Sequence, residues 1–271
     1  MSEHEQRFID FFVALWNNHP ECFKINYDAW TEKIPDDEDW VFSVVLRTLI
    51  WNDKEAERLF HKIGGYAGAR NWLAKSKLEL KSFLKEEADK INFGDGQEGA
   101  HRDNRHREPF PRTLIEYLEK MGRSQKKFIN GKNFDTLYHG IMIYYSKDLT
   151  SWDILERLYW SKRAYHLEVH PEKFYLTGGG ERDGLKKIYS LKNVNVGGEK
   201  LIKLGEELTG KIRKRIKISE DILRYKLEDI LCIYQKDRND VKSENLLENK
   251  ISPESFADKY TEEYCKSKHI C

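Results

Sequence analysis

Apolar residues recur at helical spacing along most of this chain. Phe8, Phe11, Phe12 and Leu15 fall at i, i+3, i+4 and i+7, which predicts a first amphipathic helix ending near Asn17-Asn18. Asp36-Asp37-Glu38-Asp39 places negative charge where a helix N-terminus favours it. Phe42, Val45, Leu46, Leu49 and Ile50 then repeat as a central helix of the first half. Leu59, Phe60 and Ile63 predict a short helix stopped by Gly64-Gly65, and Leu80, Phe83, Leu84 and Ile91 predict another before Gly94. The periodicity disappears from about Asn92 to Arg112, a polar stretch with glycines and prolines that reads as a long loop.

Helical spacing resumes with Leu114, Ile115, Leu118 and Met121, and after the basic turn RSQKKFINGKN with Leu137, Ile141 and Tyr144. Thr150 or Ser151 is placed to cap the next helix, with Asp153 in its first turn. Phe174 to Thr177 then leads into Gly178-Gly179-Gly180 and the start of an amphipathic helix. Glycines permit unusual backbone dihedrals, and the amides opening a helix attract anions, so this turn is a candidate phosphate nest, with Arg182 and Lys186 adding side-chain cations. Past Gly197-Gly198 come Leu201, Leu204 and Leu208, then a helix capped at Ser219 carrying Leu223, Leu227, Ile230, Leu231 and Tyr234. We expect the core to close there. Residues 1–236 form one helical domain on this reading, and 237–271 an appended charged linker and helix, with Ser252-Pro253 at that helix's start.

The chain is 34% charged and 39% hydrophobic, polar for a globular protein, yet its 13% aromatic content calls for a packed core. No run approaches the roughly 18 apolar residues of a membrane span, and MSEHEQRF is acidic where a signal peptide is basic and then apolar. A cytoplasmic setting with reduced thiols and no membrane partner is expected, since the four cysteines form no CxxC pair. The formal net charge of +1 names no partner, but local charge does: Lys211, Arg213, Lys214, Arg215 and Lys217 form one basic cluster, and Arg102, Arg105, Arg107 and Arg112 with His101 and His106 another. Each is suited to a phosphate backbone, and each also fits a solvated basic face.

The glycine turn is not GxxxxGK[ST] and lacks the βαβ setting of a dinucleotide fingerprint, so no nucleotide cofactor is expected. Gly178-Gly179-Gly180, Asp183-Gly184-Leu185-Lys186-Lys187, Leu204-Gly205 and Leu227-Glu228-Asp229-Ile230-Leu231-Cys232 together resemble the helical proteins of DNA-base hypermodification. These are the 5-hydroxymethyluracil DNA kinase helical domain and the α-glutamyl/putrescinyl thymine pyrophosphorylases. Val44 to Trp51 resembles an early helix of that family more loosely, so the likeness spans residues 38 to 236. Where those relatives usually carry Pro, this chain has Gly179, which makes the turn less rigid.

The resemblance implies a mainly α, helix-hairpin-helix DNA-glycosylase-like scaffold that handles an extruded base. It implies displacement of pyrophosphate by an amine or amino-acid donor at an activated 5-hydroxymethyluracil in DNA. The catalytic candidates are then Arg182 and Lys186 for the leaving group and Glu228 or Asp229 for the amine proton. The nucleic-acid-binding candidates are Gly178, Gly179, Gly180, Lys187, Lys211, Arg213, Lys214 and Arg215. A DNA glycosylase on the same scaffold and a non-catalytic nucleic-acid-binding protein are the competing readings. Adjacent acids face different sides of a helix, so only one of Glu228 and Asp229 is expected to point inward. Tyr234 and Trp160 are candidates either for stacking a base or for the core. Arg102 and His106 depart from the spacing of a metal-independent ribonuclease, and Cys265, His269 and Cys271 lack a fourth zinc ligand, so no metal is expected.

Overall fold

The structure, a computed structural model, describes residues 2–23, 30–93, 109–141, 147–161, 169–191, 194–235 and 242–268. Among these the chain is mainly helical and contains no strand. The loop carrying His101, Arg102, Arg105, His106 and Arg107 lies outside the described residues, as do the Cys265, His269 and Cys271 side chains. The chain divides into two compact units, Tyr27–His170 and a second one made of Met1–Asn26 with Pro171–Cys271.

The unit Tyr27–His170 is built around α2 (Asp37–Leu49), which packs against α3 (Asp53–Ile63), α4 (Gly65–Lys75), α7 (Gln125–Asn130) and α9 (Lys147–Trp160). Nine of the thirteen α2 residues are buried, which makes it the central helix that its apolar run predicts. The acidic run does more than favour its own helix. Asp36 accepts the amides of Glu38 and Asp39 at 2.9 and 3.0 Å, a side-chain N-cap. Asp39 accepts the Tyr66 amide at 2.7 Å and so caps α4, while Glu38 accepts the Gln125 and Lys126 amides at 2.9 and 3.0 Å and caps α7. Gly64 and Gly65, at φ of 82° and 66°, make the bend between α3 and α4. A Cβ on Gly65 would lie 2.5 Å from Asp39 Oδ1, so the cap itself requires glycine.

Helix α5 (Lys77–Ala88) lies against α4 and α6 (Phe110–Met121), and α8 (Phe134–Ile141) against α6 and α9. Two sequence expectations change here. Helix α4 was not foreseen, because glycine and alanine dilute its apolar stripe. Helix α9 begins at Lys147, so Ser151 is interior and not a cap; it is fully buried and its hydroxyl donates to the Tyr138 carbonyl at 2.5 Å.

The other unit brings both chain ends together. It holds α1 (Glu3–Asn18), α10 (Gly180–Ile188), α11 (Gly198–Arg213), α12 (Glu220–Tyr234), α13 (Ser243–Leu247) and α14 (Pro253–Lys268). The α1 stripe meets aromatic rings edge-on: Phe8 lies 5.1 Å from Tyr234, and Phe11 lies 4.9 Å from Phe256 and 5.2 Å from Tyr260. The division differs from the expected 1–236 body with an appended 237–271. Helices α13 and α14 both pack on α1, and Leu246, Leu247, Phe256, Ala257 and Tyr260 belong to the same core cluster as Phe8 and Phe11. The apolar face of α1 is wider than α12 and its neighbours cover, and the C-terminal helix completes its burial.

Candidate active site

The glycine turn feeds α10, which packs along α12. None of Gly178, Gly179 and Gly180 has a positive φ, so left-handed backbone is not what selects glycine here. Close approach is the reason at two positions. A Cβ on Gly180 would lie 2.5 Å from the Cys232 Sγ, and one on Gly184 would lie 2.6 Å from the Leu231 carbonyl oxygen. The four-residue spacing of these glycines puts them on one face of α10, so the two helix backbones nearly touch. Gly179 meets nothing within 4 Å.

The expected phosphate nest already holds an anion from the chain itself. The Glu181 carboxylate accepts the Gly178 amide, and the neighbouring Thr177 and Glu181 amides also favour its charged form. The side chain is 1% exposed. A glutamate in the first turn reaching back to orphan amides follows the logic of a capping box. Burial pushes the Glu181 carboxyl above the usual carboxylate range, against the pull of those amides and of Arg182. The Arg182 Nε donates to the Gly178 carbonyl at 2.9 Å, clasping the turn from its other side.

Glu228 comes to this turn from α12. Its Oε1 accepts the Thr177 hydroxyl at 2.9 Å, and both residues are buried. Asp229 points elsewhere and is paired with Lys226 at 3.2 Å. Of the two adjacent acids, then, Glu228 is the one brought to the glycines, and both are largely withdrawn from solvent. Helix α12 also buries Arg224 and Lys226. Arg224 donates to the Pro171 carbonyl at 2.7 Å and lies 3.4 Å from Glu206. Three buried charged side chains within five residues are expensive unless paired, and such groups concentrate at functional sites.

The other sequence candidates separate into two places. Arg182 and Lys186 share α10 with the turn, and Lys186 is 3.8 Å from Asp183. Lys187 is used structurally: its Nζ donates to the Gln235 carbonyl at 2.9 Å and to Ser243 Oγ at 3.0 Å, tying the end of α12 to the start of α13. Lys211, Arg213, Lys214 and Arg215 lie at the end of α11. Lys211 bonds the buried Glu5 at 2.6 Å, Arg213 pairs with Glu220, and Arg215 is 3.1 Å from Asp10; Lys214 is exposed. Tyr234 is a core residue, ringed by Phe8, Phe11 and Phe256.

Thr177, Glu181, Arg224 and Lys226 were missed in sequence. Two signals pointed to them: a glutamate just inside a helix after a small-residue turn, and cations interrupting the apolar run of α12. Among the described residues no group of three or more His, Cys, Asp or Glu side chains is arranged to hold a metal ion. Comparison with known protein families, with curated proteins and with solved structures gives no match to this chain.

Proposed function

We propose that the chain is a DNA-base hypermodification enzyme, with Glu228 as the general base. The substrate is a flipped pyrimidine, 5-hydroxymethyluracil carrying pyrophosphate on its hydroxymethyl oxygen, and an amine attacks the methylene carbon. The C–N bond forms as the C–O bond breaks, pyrophosphate departs, and the amine proton passes to Glu228. The observation that carries this reading is the buried Glu228 carboxylate held by Thr177 beside the glycine turn, on a chain whose motifs resemble that family. Asp229 points away from the turn and is paired with Lys226 at 3.2 Å. Arg182 and Lys186 follow the turn on α10 and supply charge for the departing pyrophosphate. The turn amides themselves are occupied by Glu181, so phosphate recognition falls to these side chains.

The test is a duplex carrying the pyrophosphorylated base, incubated with a primary amine and read for pyrophosphate release and nucleoside mass. Amine-dependent release that falls about 10²–10⁴-fold in Glu228→Gln, with duplex affinity kept, is the expected result. Release of free base instead identifies a glycosylase, and the absence of any chemistry removes the proposal.

A further inference from the structure

We infer that Thr177 is the positioning residue of Glu228: its hydroxyl donates to one carboxylate oxygen and holds the group in its orientation. The inference rests on the proposed role of Glu228 and extends it to a residue outside the motifs. Thr177 stands directly before Gly178, whose amide donates to Glu181, and its own hydroxyl donates to Glu228 Oε1 at 2.9 Å. One residue therefore joins the first turn of α10 to the middle of α12. Both ends of the hydrogen bond are withdrawn from water, Thr177 at 4% and Glu228 at 3% exposure, so solvent does not replace the donor when it is removed. Threonine is also stiff at χ1, which presets the hydroxyl direction.

Charged residues on the two helices that carry the contact are Glu181, Arg182, Asp183 and Lys186 on α10, and Arg224, Lys226 and Asp229 beside Glu228 on α12, with Lys186 3.8 Å from Asp183 and Lys226 3.2 Å from Asp229. Valine at position 177 removes the donor while keeping the branched shape, and serine keeps the donor while losing the branch. A hydrogen bond to the ionised form favours that form, so losing it makes the carboxylate easier to protonate.

The experiment uses the full chain with labelled glutamate carboxyl carbons, the Glu228 signal being assigned from its absence in Glu228→Gln. Titration from about pH 3 to pH 8 compares the wild type with Thr177→Val, Thr177→Ala and Thr177→Ser. We expect the Glu228 midpoint to rise by about one pH unit in the valine and alanine variants and to stay near wild type with serine. The acid limb of amine-dependent pyrophosphate release should move up with it while KM for the duplex stays constant. An unmoved midpoint in both donor-less variants overturns the inference, and the alanine variant serves if valine prevents folding. A shifted midpoint with undiminished pyrophosphate release by Glu228→Gln overturns the proposed catalytic role of Glu228 and upholds the hold that Thr177 has on it.

Discussion

Gly184 and Leu231 bring the α10 and α12 backbones so close that a Cβ on the glycine would stand 2.6 Å from the leucine carbonyl oxygen. That contact sets the position of the glycine turn, and through Thr177 the position of Glu228. Gly184→Ala must push the helices apart, and overpacking of this kind costs about 1–3 kcal/mol. Gly179 has open space around it and φ and ψ of −82° and −30°, within the range of any L-residue. Gly179→Ala should therefore be neutral, or stabilising by about 0.4–1 kcal/mol through the unfolded chain. Urea unfolding of the two variants, measured side by side, should show a loss in Gly184→Ala and none in Gly179→Ala, and equal losses would contradict this account.

Glu87 provides a pH signature. It is 1% exposed, and Lys62 and Arg58 reach it at 2.7 Å and Lys90 at 3.4 Å. Burial pushes its carboxyl up, but the hydrogen bonds from Lys62, Arg58 and Lys90 outweigh burial and hold it down at about 2. A carboxylate depressed from about 4.3 in the unfolded chain contributes stability above that value, and the contribution is lost as pH falls toward 2. The three cations are substantially exposed, so screening reduces the contribution to about 1–2 kcal/mol. Stability measured from pH 5 down to pH 2 should decline less steeply in Glu87→Gln than in the wild type. Parallel curves would show that the cluster contributes nothing.

The acid run at the start of α2 caps helices other than its own. Asp39→Asn keeps an acceptor and removes the charge, whereas Asp39→Ala takes the side-chain acceptor from the Tyr66 amide at the start of α4. The alanine variant should lose about 1 kcal/mol, within the usual range for a lost N-cap. Hydrogen exchange at the Tyr66 amide reports the same event locally: it should speed up in Asp39→Ala and much less in Asp39→Asn. Equal exchange in both would assign the cap to other groups.

Local pattern makes most helices legible in the sequence. The α1 stripe, the Ser219 cap of α12 and the Ser252-Pro253 start of α14 all read directly, because each depends on neighbours within one turn. What escaped depends on distant residues. Glu181 reads as an exposed acid in a charged helix until the turn amides are seen to fold onto it, and Lys226 reads as a surface lysine until the helix carrying it is surrounded. Glu228 and Asp229 are distinguishable only once Thr177 is seen to reach one of them. The glycines were noticed for the wrong physical property: backbone freedom drew attention to Gly178-Gly179-Gly180, whereas close packing explains Gly180 and Gly184.

The C-terminal helix gives the sharpest test of the two-ended unit. Charged residues between 237 and 252 made the segment look like a linker, yet Phe256 is 1% exposed and meets Phe11 edge-on at 4.9 Å and Tyr234 at 6.0 Å. Removing its ring leaves a cavity bounded by α1 and α12, and such truncations of a buried phenylalanine cost about 3–5 kcal/mol. An appendage on a flexible linker would lose almost nothing. Phe256→Ala should lower the unfolding midpoint of the unit formed by both chain ends, and Phe11→Ala should do the same. Because the two rings touch, the double variant should cost less than the sum of the single ones by about 0.5–1.5 kcal/mol. Strict additivity would mean that α14 and α1 do not share a core in solution.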